Sequence, residues 1–216
     1  MSLTREIAEF EAKKQRTHDP DILKNMDVTT ADLVATGIAE RAIAQGDTAP
    51  DFTLPDHLGR EVSQSACLAD GPVLLTFYRG GWCPYCNLEL RAYQRELDRI
   101  KAAGGTLLAV SPMMPDGSLE TAEKNALAFP VLSDVGNKVS AAYGLVFEVD
   151  KRIQETYRDK LGIDLEGLNG DGSFTLPLPA TYVIATDGRI AHAYVNADYR
   201  LRAAPEDALK ALEGLG

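Results

Sequence analysis

Two cysteines stand three positions apart in Arg79-Gly80-Gly81-Trp82-Cys83-Pro84-Tyr85-Cys86, where the apolar run Leu74-Leu75-Thr76-Phe77-Tyr78 gives way to a helical pattern. Thiols at that spacing suit a reversible dithiol: one thiolate attacks an oxidised centre, and the second displaces the product and leaves an intramolecular disulfide. From Cys86 the apolar positions continue through Leu90, Tyr93, Leu97 and Ile100, one stripe of a helix that puts Cys86 on its buried side. Cys83 falls one turn earlier, at the helix entrance, where free backbone N–H groups and the positive end of the dipole favour an anion. A helix N-terminus and nearby cations lower a thiol pKa from about 8.5 to between about 3.5 and 7.5, and Arg79 is close enough in sequence to add to that effect. The sequence therefore predicts Cys83 as the reactive, accessible sulfur and Cys86 as the thiol that closes the disulfide. With a hydroperoxide as oxidant the first product is a sulfenic acid, which a neighbouring thiol removes before over-oxidation.

The residues around the pair admit two readings each. Arg79 is either a solvated strand end or the cation that holds a thiolate and polarises a peroxide. Trp82 and Tyr85 are a stacking or docking surface, or plain packing, while Pro84 stiffens the start of the helix and so tunes redox potential. Cys67, isolated before Leu68-Ala69-Asp70-Gly71, reads as a semi-buried small residue, with a second resolving role as the alternative. A zinc half-site needs two further ligands, and Cys67, His18, His57 and His192 show no matching spacing. No cofactor or metal is expected, and His57 and His192 read as structural or exposed.

These residues need elements to position them. The strand at Val73 to Tyr78, the helix from Cys86 to Ala103 ended by Gly104-Gly105, and the strand Thr106 to Val110 form a crossover unit, so the two strands should be parallel. Ser118 is read as the cap of a helix running to about Leu127, followed by a short strand at Val131-Leu132 and a brief helix from Lys138 to Tyr143. Residues 148–178 break the alternation with a charged helical segment, Lys151 to Leu161, and a Gly-rich loop, and read as an insertion. Thr181 to Ala185 and Ile190 to Val195 flank an Asp187-Gly188 hairpin turn, and Pro205 to Leu212 makes a last helix. Residues 1–45 read as a helical extension broken at His18-Asp19-Pro20. It packs on its own domain (46–216), or serves as the arm of a homodimer.

Composition narrows the partners. Among 216 residues, 22 basic side chains stand against 32 acidic ones, a net charge of -10, which disfavours nucleic acid and anionic membrane surfaces. No signal-peptide core or membrane span is apparent, and three cysteines are too few for a secreted disulfide framework, so a cytoplasmic location is expected.

The order of elements, with a Cys-x-x-Cys at the first crossover helix and a late Pro before a hairpin, resembles the thioredoxin fold. From about Gly46 onward it resembles the peroxiredoxin-like (AhpC/TSA) branch. Ala49-Pro50-Asp51-Phe52-Thr53-Leu54 is similar to that branch's opening strand, and Phe77-Tyr78 followed by a cysteine is similar to its peroxidatic loop. The register puts Cys86 at the peroxidatic position, with Arg79 where the family carries Pro and Cys83 where it carries Thr or Ser. In Leu176-Pro177-Leu178-Pro179-Ala180-Thr181-Tyr182, Pro179 holds the place of the family's active-site Arg and is similar to the cis-proline of thioredoxin-like reductases. The resemblance implies an α/β thioredoxin-like fold with a central mixed sheet flanked by helices. It also implies a thiol oxidoreductase that reduces hydroperoxides, reset by thioredoxin or a similar small thiol donor. A protein disulfide reductase and a non-catalytic redox sensor are the alternatives, and the order of attack, Cys83 or Cys86 first, stays open between dipole and register.

Overall fold

The computed structural model describes residues 1–215. The chain opens with helices α1 (Leu3–Thr17) and α2 (Pro20–Ala35), a 3-10 turn (Ile38–Arg41) and the antiparallel pair β1 (Thr53–Pro55) and β2 (Glu61–Ser63). It continues through α3 (Gln64–Asp70), β3 (Val73–Phe77), α4 (Pro84–Ala102), β4 (Thr106–Ser111), α5 (Pro115–Lys124), β5 (Val131–Ser133) and α6 (Lys138–Ala142). Next come β6 (Val146–Glu148), α7 (Lys151–Glu155), a π-helical turn (Thr156–Lys160), α8 (Leu165–Asn169) and β7 (Thr175–Pro177). The chain closes with β8 (Ala180–Ile184), β9 (Ile190–Val195) and α9 (Pro205–Glu213).

Five strands form a mixed sheet in the order β5-β4-β3-β8-β9. β3, β4 and β5 are parallel, as the crossover required, and β8 runs antiparallel to both β3 and β9. Every residue of β3 and β8 is buried, the pattern of strands covered on both faces. Alternate residues divide the core. Val73, Leu75, Phe77 and Tyr182 pack with Leu68, Tyr143 and Ile190 on one face, whereas Leu74, Tyr78 and Val183 pack with Leu90, Tyr93, Ile100 and Leu212 of α4 and α9 on the other.

The second face carries the dithiol. α4 begins at Pro84, two residues before the Cys86 start read from the sequence, because Cys83 has extended backbone at the cap and Pro84 occupies the first turn, where its missing N–H costs nothing. Gly80 has φ +148, and a Cβ there would collide with the Trp82 indole, while one at Gly81 would collide with Thr121. The loop is pinned from behind by a buried amide chain. Asn87 Nδ2 donates to the Gly81 carbonyl at 2.7 Å, Asn125 Nδ2 donates to Asn87 Oδ1 at 2.8 Å, and Arg91 donates to Asn125 Oδ1 at 2.7 Å.

The outer elements lie against this frame. α1 packs on α4, and its Lys14 Nζ, only 5% exposed, reaches the Tyr85 hydroxyl at 3.0 Å. α2 is tied to α7 by Arg152 with Asp32, to the π-helical turn by Asn25 with Thr156, and to the loop after β9 by Arg200 with Asp27. Residues 1–45 thus fold onto the rest of the chain. A larger boundary difference from the sequence reading is that the helix assigned to a Ser118 cap starts at Pro115, and Ser118 lies inside it, bonded to Ser133 at 2.8 Å across to β5. A serine buried on a helix face mimics a cap in sequence because both positions need a side-chain oxygen with a close partner.

Replacing Asn87 by Ala should cost about 1–3 kcal/mol, because the Gly81 carbonyl and the Asn125 amide then lose their partners in the interior; urea unfolding of Asn87→Ala against the parent measures it.

Candidate active site

All three cysteines are free thiols. Cys83 and Cys86 are 2% and 0% exposed, so the expectation of an outward Cys83 is overturned. The cause lies outside the motif: Cys83 belongs to the buried cluster of Tyr85, Leu90 and Tyr93, with Trp82 and Tyr199 packed against it. Cys67 sits on α3 and packs against the opposite face of the sheet, where burial first and Asp70 second push its thiol up. That places it away from the pair. Among the described residues, no His, Asp or Glu joins the cysteines in a cluster able to hold a metal.

Two guanidinium groups act on the pair, Arg79 through its charge and Arg202 also by direct contact. Arg79 is 4% exposed, which rules out a solvated strand end. It donates to the Tyr157 hydroxyl and lies over the rings of Tyr199 at 4.3 Å and Trp82 at 5.0 Å. Its Nε is buried without a partner, and none of the ion pairs among the described residues involves it.

Arg202 comes from the loop between β9 and α9. Its Nη2 donates to Cys86 Sγ at 3.4 Å, its Nη1 to the carboxylate of Glu89, and its Nε to the Tyr199 carbonyl at 2.9 Å. The position occupied by Pro179 was expected to leave the site without the family's arginine; Arg202 supplies one from a later loop. The cis-proline reading of Pro179 is corrected too, since no cis peptide occurs among the described residues. Pro179 instead lines a pocket together with Arg79, Tyr157 and Tyr199.

The charges divide the thiols. Burial alone would raise Cys83, but a hydrogen bond from the Cys86 thiol, the Arg79 and Arg202 charges and the Cys86 backbone N–H outweigh it and bring Cys83 well below the ordinary thiol value. Cys86 moves the other way, raised by burial and by donating its proton to a charged neighbour. The pair therefore holds one proton and one negative charge between its two sulfurs.

Glu89, one turn beyond Cys86, is pushed up to about 7 by burial and by the neighbouring Cys86 sulfur, against the pull of Arg202. Tyr85 is 3% exposed beneath Phe10, at 5.1 Å between ring centroids, and Tyr199, at 5.3 Å, so it is packing rather than a docking surface. Trp82 stacks under Arg79 and against Tyr157 at 5.2 Å, and Pro84 is exposed.

Sequence reasoning missed Glu89, Tyr157, Tyr199 and Arg202. Glu89 was within reach of it, being three residues from Cys86 on the same helix face. The other three carry no local signal, because Tyr157 lies in a charged helical segment and Tyr199 and Arg202 in a loop.

The sequence profile of the AhpC/TSA family matches residues 45–193. This chain belongs to the AhpC/TSA family. It is 33% identical over 124 residues to the chloroplastic peroxiredoxin Q of Sedum lineare, covering 56% of this chain and 66% of that one. It is 28% identical over 149 residues to peroxiredoxin Bcp of Escherichia coli strain K12, covering 69% and 83%. The chain spans 60–66% of the length of the plant relatives it matches first. Among solved structures, the peroxidoxin BcpB of Mycobacterium tuberculosis superposes with a TM-score of 0.63 at 23% identity, over 81% of this chain and 99% of that one. The shared fold is the thioredoxin-like α/β architecture expected from the sequence. The profile stops before Arg202, the residue that contacts Cys86.

Two outcomes follow from this electrostatic arrangement. Arg79→Met should raise the pH midpoint of iodoacetamide labelling of the pair by about one unit or more, since the thiolate loses a buried counter-charge. The folded chain keeps the Glu89 proton up to about 7 whereas an unfolded carboxylate releases it near 4.5, so the unfolded state binds fewer protons in that window and stability falls as pH rises through it. Glu89→Gln removes that fall. Its stability relative to the parent, read by urea unfolding, should therefore improve between about pH 5 and about pH 8.

Proposed function

We propose that this chain is a thiol peroxidase in which Cys83 attacks a hydroperoxide and Cys86 resolves it. The observation that supports this most is a pair of buried thiols beside two buried guanidinium groups, one of which donates to Cys86 Sγ at 3.4 Å, in a chain of the AhpC/TSA family. The Cys83 thiolate displaces on the terminal peroxide oxygen: the O–O bond breaks, an S–O bond forms, and the leaving alkoxide or hydroxide takes up a proton. The Arg79 and Arg202 charges stabilise the negative charge as it moves from sulfur to the leaving oxygen. Cys86, which already faces Cys83 as a donor, then gives up its proton and attacks the sulfenic sulfur; an S–S bond forms and water leaves.

Depth favours a small oxidant. With Cys83 2% exposed, a peroxide reaches the sulfur more readily than a disulfide on another protein does, which ranks peroxide reduction above protein disulfide reduction. Thioredoxin or a similar small thiol donor resets the disulfide, a step that requires the loop before α4 to open.

A second order of attack has its own support. Cys86 alone accepts from Arg202, at 3.4 Å, and it stands in register with the family's peroxidatic cysteine. Single variants separate the two. In stopped-flow reaction with hydrogen peroxide, Cys83→Ser should be inert, while Cys86→Ser should react once and stop at a sulfenic acid that dimedone traps. The reverse pattern would transfer the attack to Cys86. Turnover of insulin disulfides without any of peroxide would replace the peroxidase reading by the reductase one.

A further inference from the structure

A pocket of about 350 Å³ lies between α2, the segment β6–α7 and the loop after β9, and Arg79 lines it. Most of its wall comes from elements outside the dithiol motif. Met26 and Leu33 of α2 face it from one side, and Phe147, Val149 and Ile153 from the other. Asp32 and Asp150 at its rim are already engaged by Arg152, at 2.8 Å each. Glu148 and Lys151, also in the lining, are exposed and of opposite sign, so the buried charge of the pocket is that of Arg79, a guanidinium that lies over aromatic rings, donates to the Tyr157 hydroxyl and leaves its Nε without a partner.

We propose that this pocket binds an apolar carboxylate, its head on Arg79 and its tail among Met26, Leu33 and Phe147, and that it binds more tightly to the disulfide form of the protein than to the dithiol form. A guanidinium presents a planar fork of N–H donors that matches a carboxylate, and Met26, Leu33 and Phe147 offer apolar surface to a hydrocarbon tail. The redox dependence follows from charge. In the dithiol form the Cys83 thiolate is the counter-ion of Arg79; once the sulfurs join, that charge disappears and a buried cation is left without an anion, an unfavourable state that a bound carboxylate relieves. Coupling of this kind is reciprocal, so the same ligand must oppose formation of the thiolate. The inference takes the location of the thiolate from the preceding reading but requires no peroxide chemistry.

The probe is octanoate, titrated by calorimetry into protein reduced with excess thiol and into protein oxidised with diamide, with octanol as the uncharged control. Binding to the oxidised form should be about tenfold tighter or more. The reduction potential should then fall by about 30 mV for each tenfold. Met26→Trp, which fills the pocket, should abolish the heat of binding; if that variant does not fold, Leu33→Trp and the octanol comparison decide. No binding to either form, equal affinity for both, octanol binding as well as octanoate, or unchanged binding in a folded filled variant would each overturn the proposal. A chain that shows redox-linked octanoate binding but turns over no peroxide would overturn the peroxidase reading and leave this one standing.

Discussion

Two buried guanidinium groups, Arg79 and Arg202, share their surroundings with one buried carboxylate, Glu89, and that imbalance governs the site. An interior cation without an anion is costly, and here the anion is supplied by a sulfur. The cysteines are thus part of the electrostatic balance of the fold and not merely placed within it. The balance also explains why the two thiols diverge: once one sulfur carries the negative charge, that charge and burial keep the proton on the other.

The arrangement depends on backbone positions far apart in the chain. α4 sets the spacing of Cys83, Cys86 and Glu89 along one face, and the end of β3 delivers Arg79 beside them. The loop after β9 brings Arg202, and the π-helical turn brings Tyr157 onto Arg79. A π-helical turn re-aims side chains relative to the helix that precedes it, and such turns recur at functional sites. The first two helices complete the enclosure: α1 presses Tyr85 inward through Phe10 and Lys14, and α2 roofs the pocket above Arg79. These outer elements exclude water, which strengthens each charge interaction beneath them.

Much of the fold was legible because its signals are local and periodic. The apolar stripe from Cys86 to Ile100 marked α4, the runs at Val73 and Thr106 marked parallel strands, and Asp187-Gly188 marked the last hairpin. Ser118 misled because a serine before a helical pattern looks the same whether it caps the helix or bonds across to a strand. Pro179 misled differently. Its place in the strand-opening segment was right, but neither its peptide isomer nor the source of the arginine is a property of that segment.

The sequence by itself determined the chemistry available: two thiols one helical turn apart, the first at a helix N-terminus, on a strand-helix-strand unit. These follow from spacing and periodicity, which act over a few residues. Only the tertiary structure decided how those thiols are charged and how far they lie from water. Burial, the choice of Arg202 over Pro179, the raised Glu89 and the aromatic enclosure of Arg79 all arise from side chains that meet across more than seventy positions of chain or from turns with no pattern of their own. Electrostatics in an interior is set by distance through space, and no local reading of residue order contains that distance.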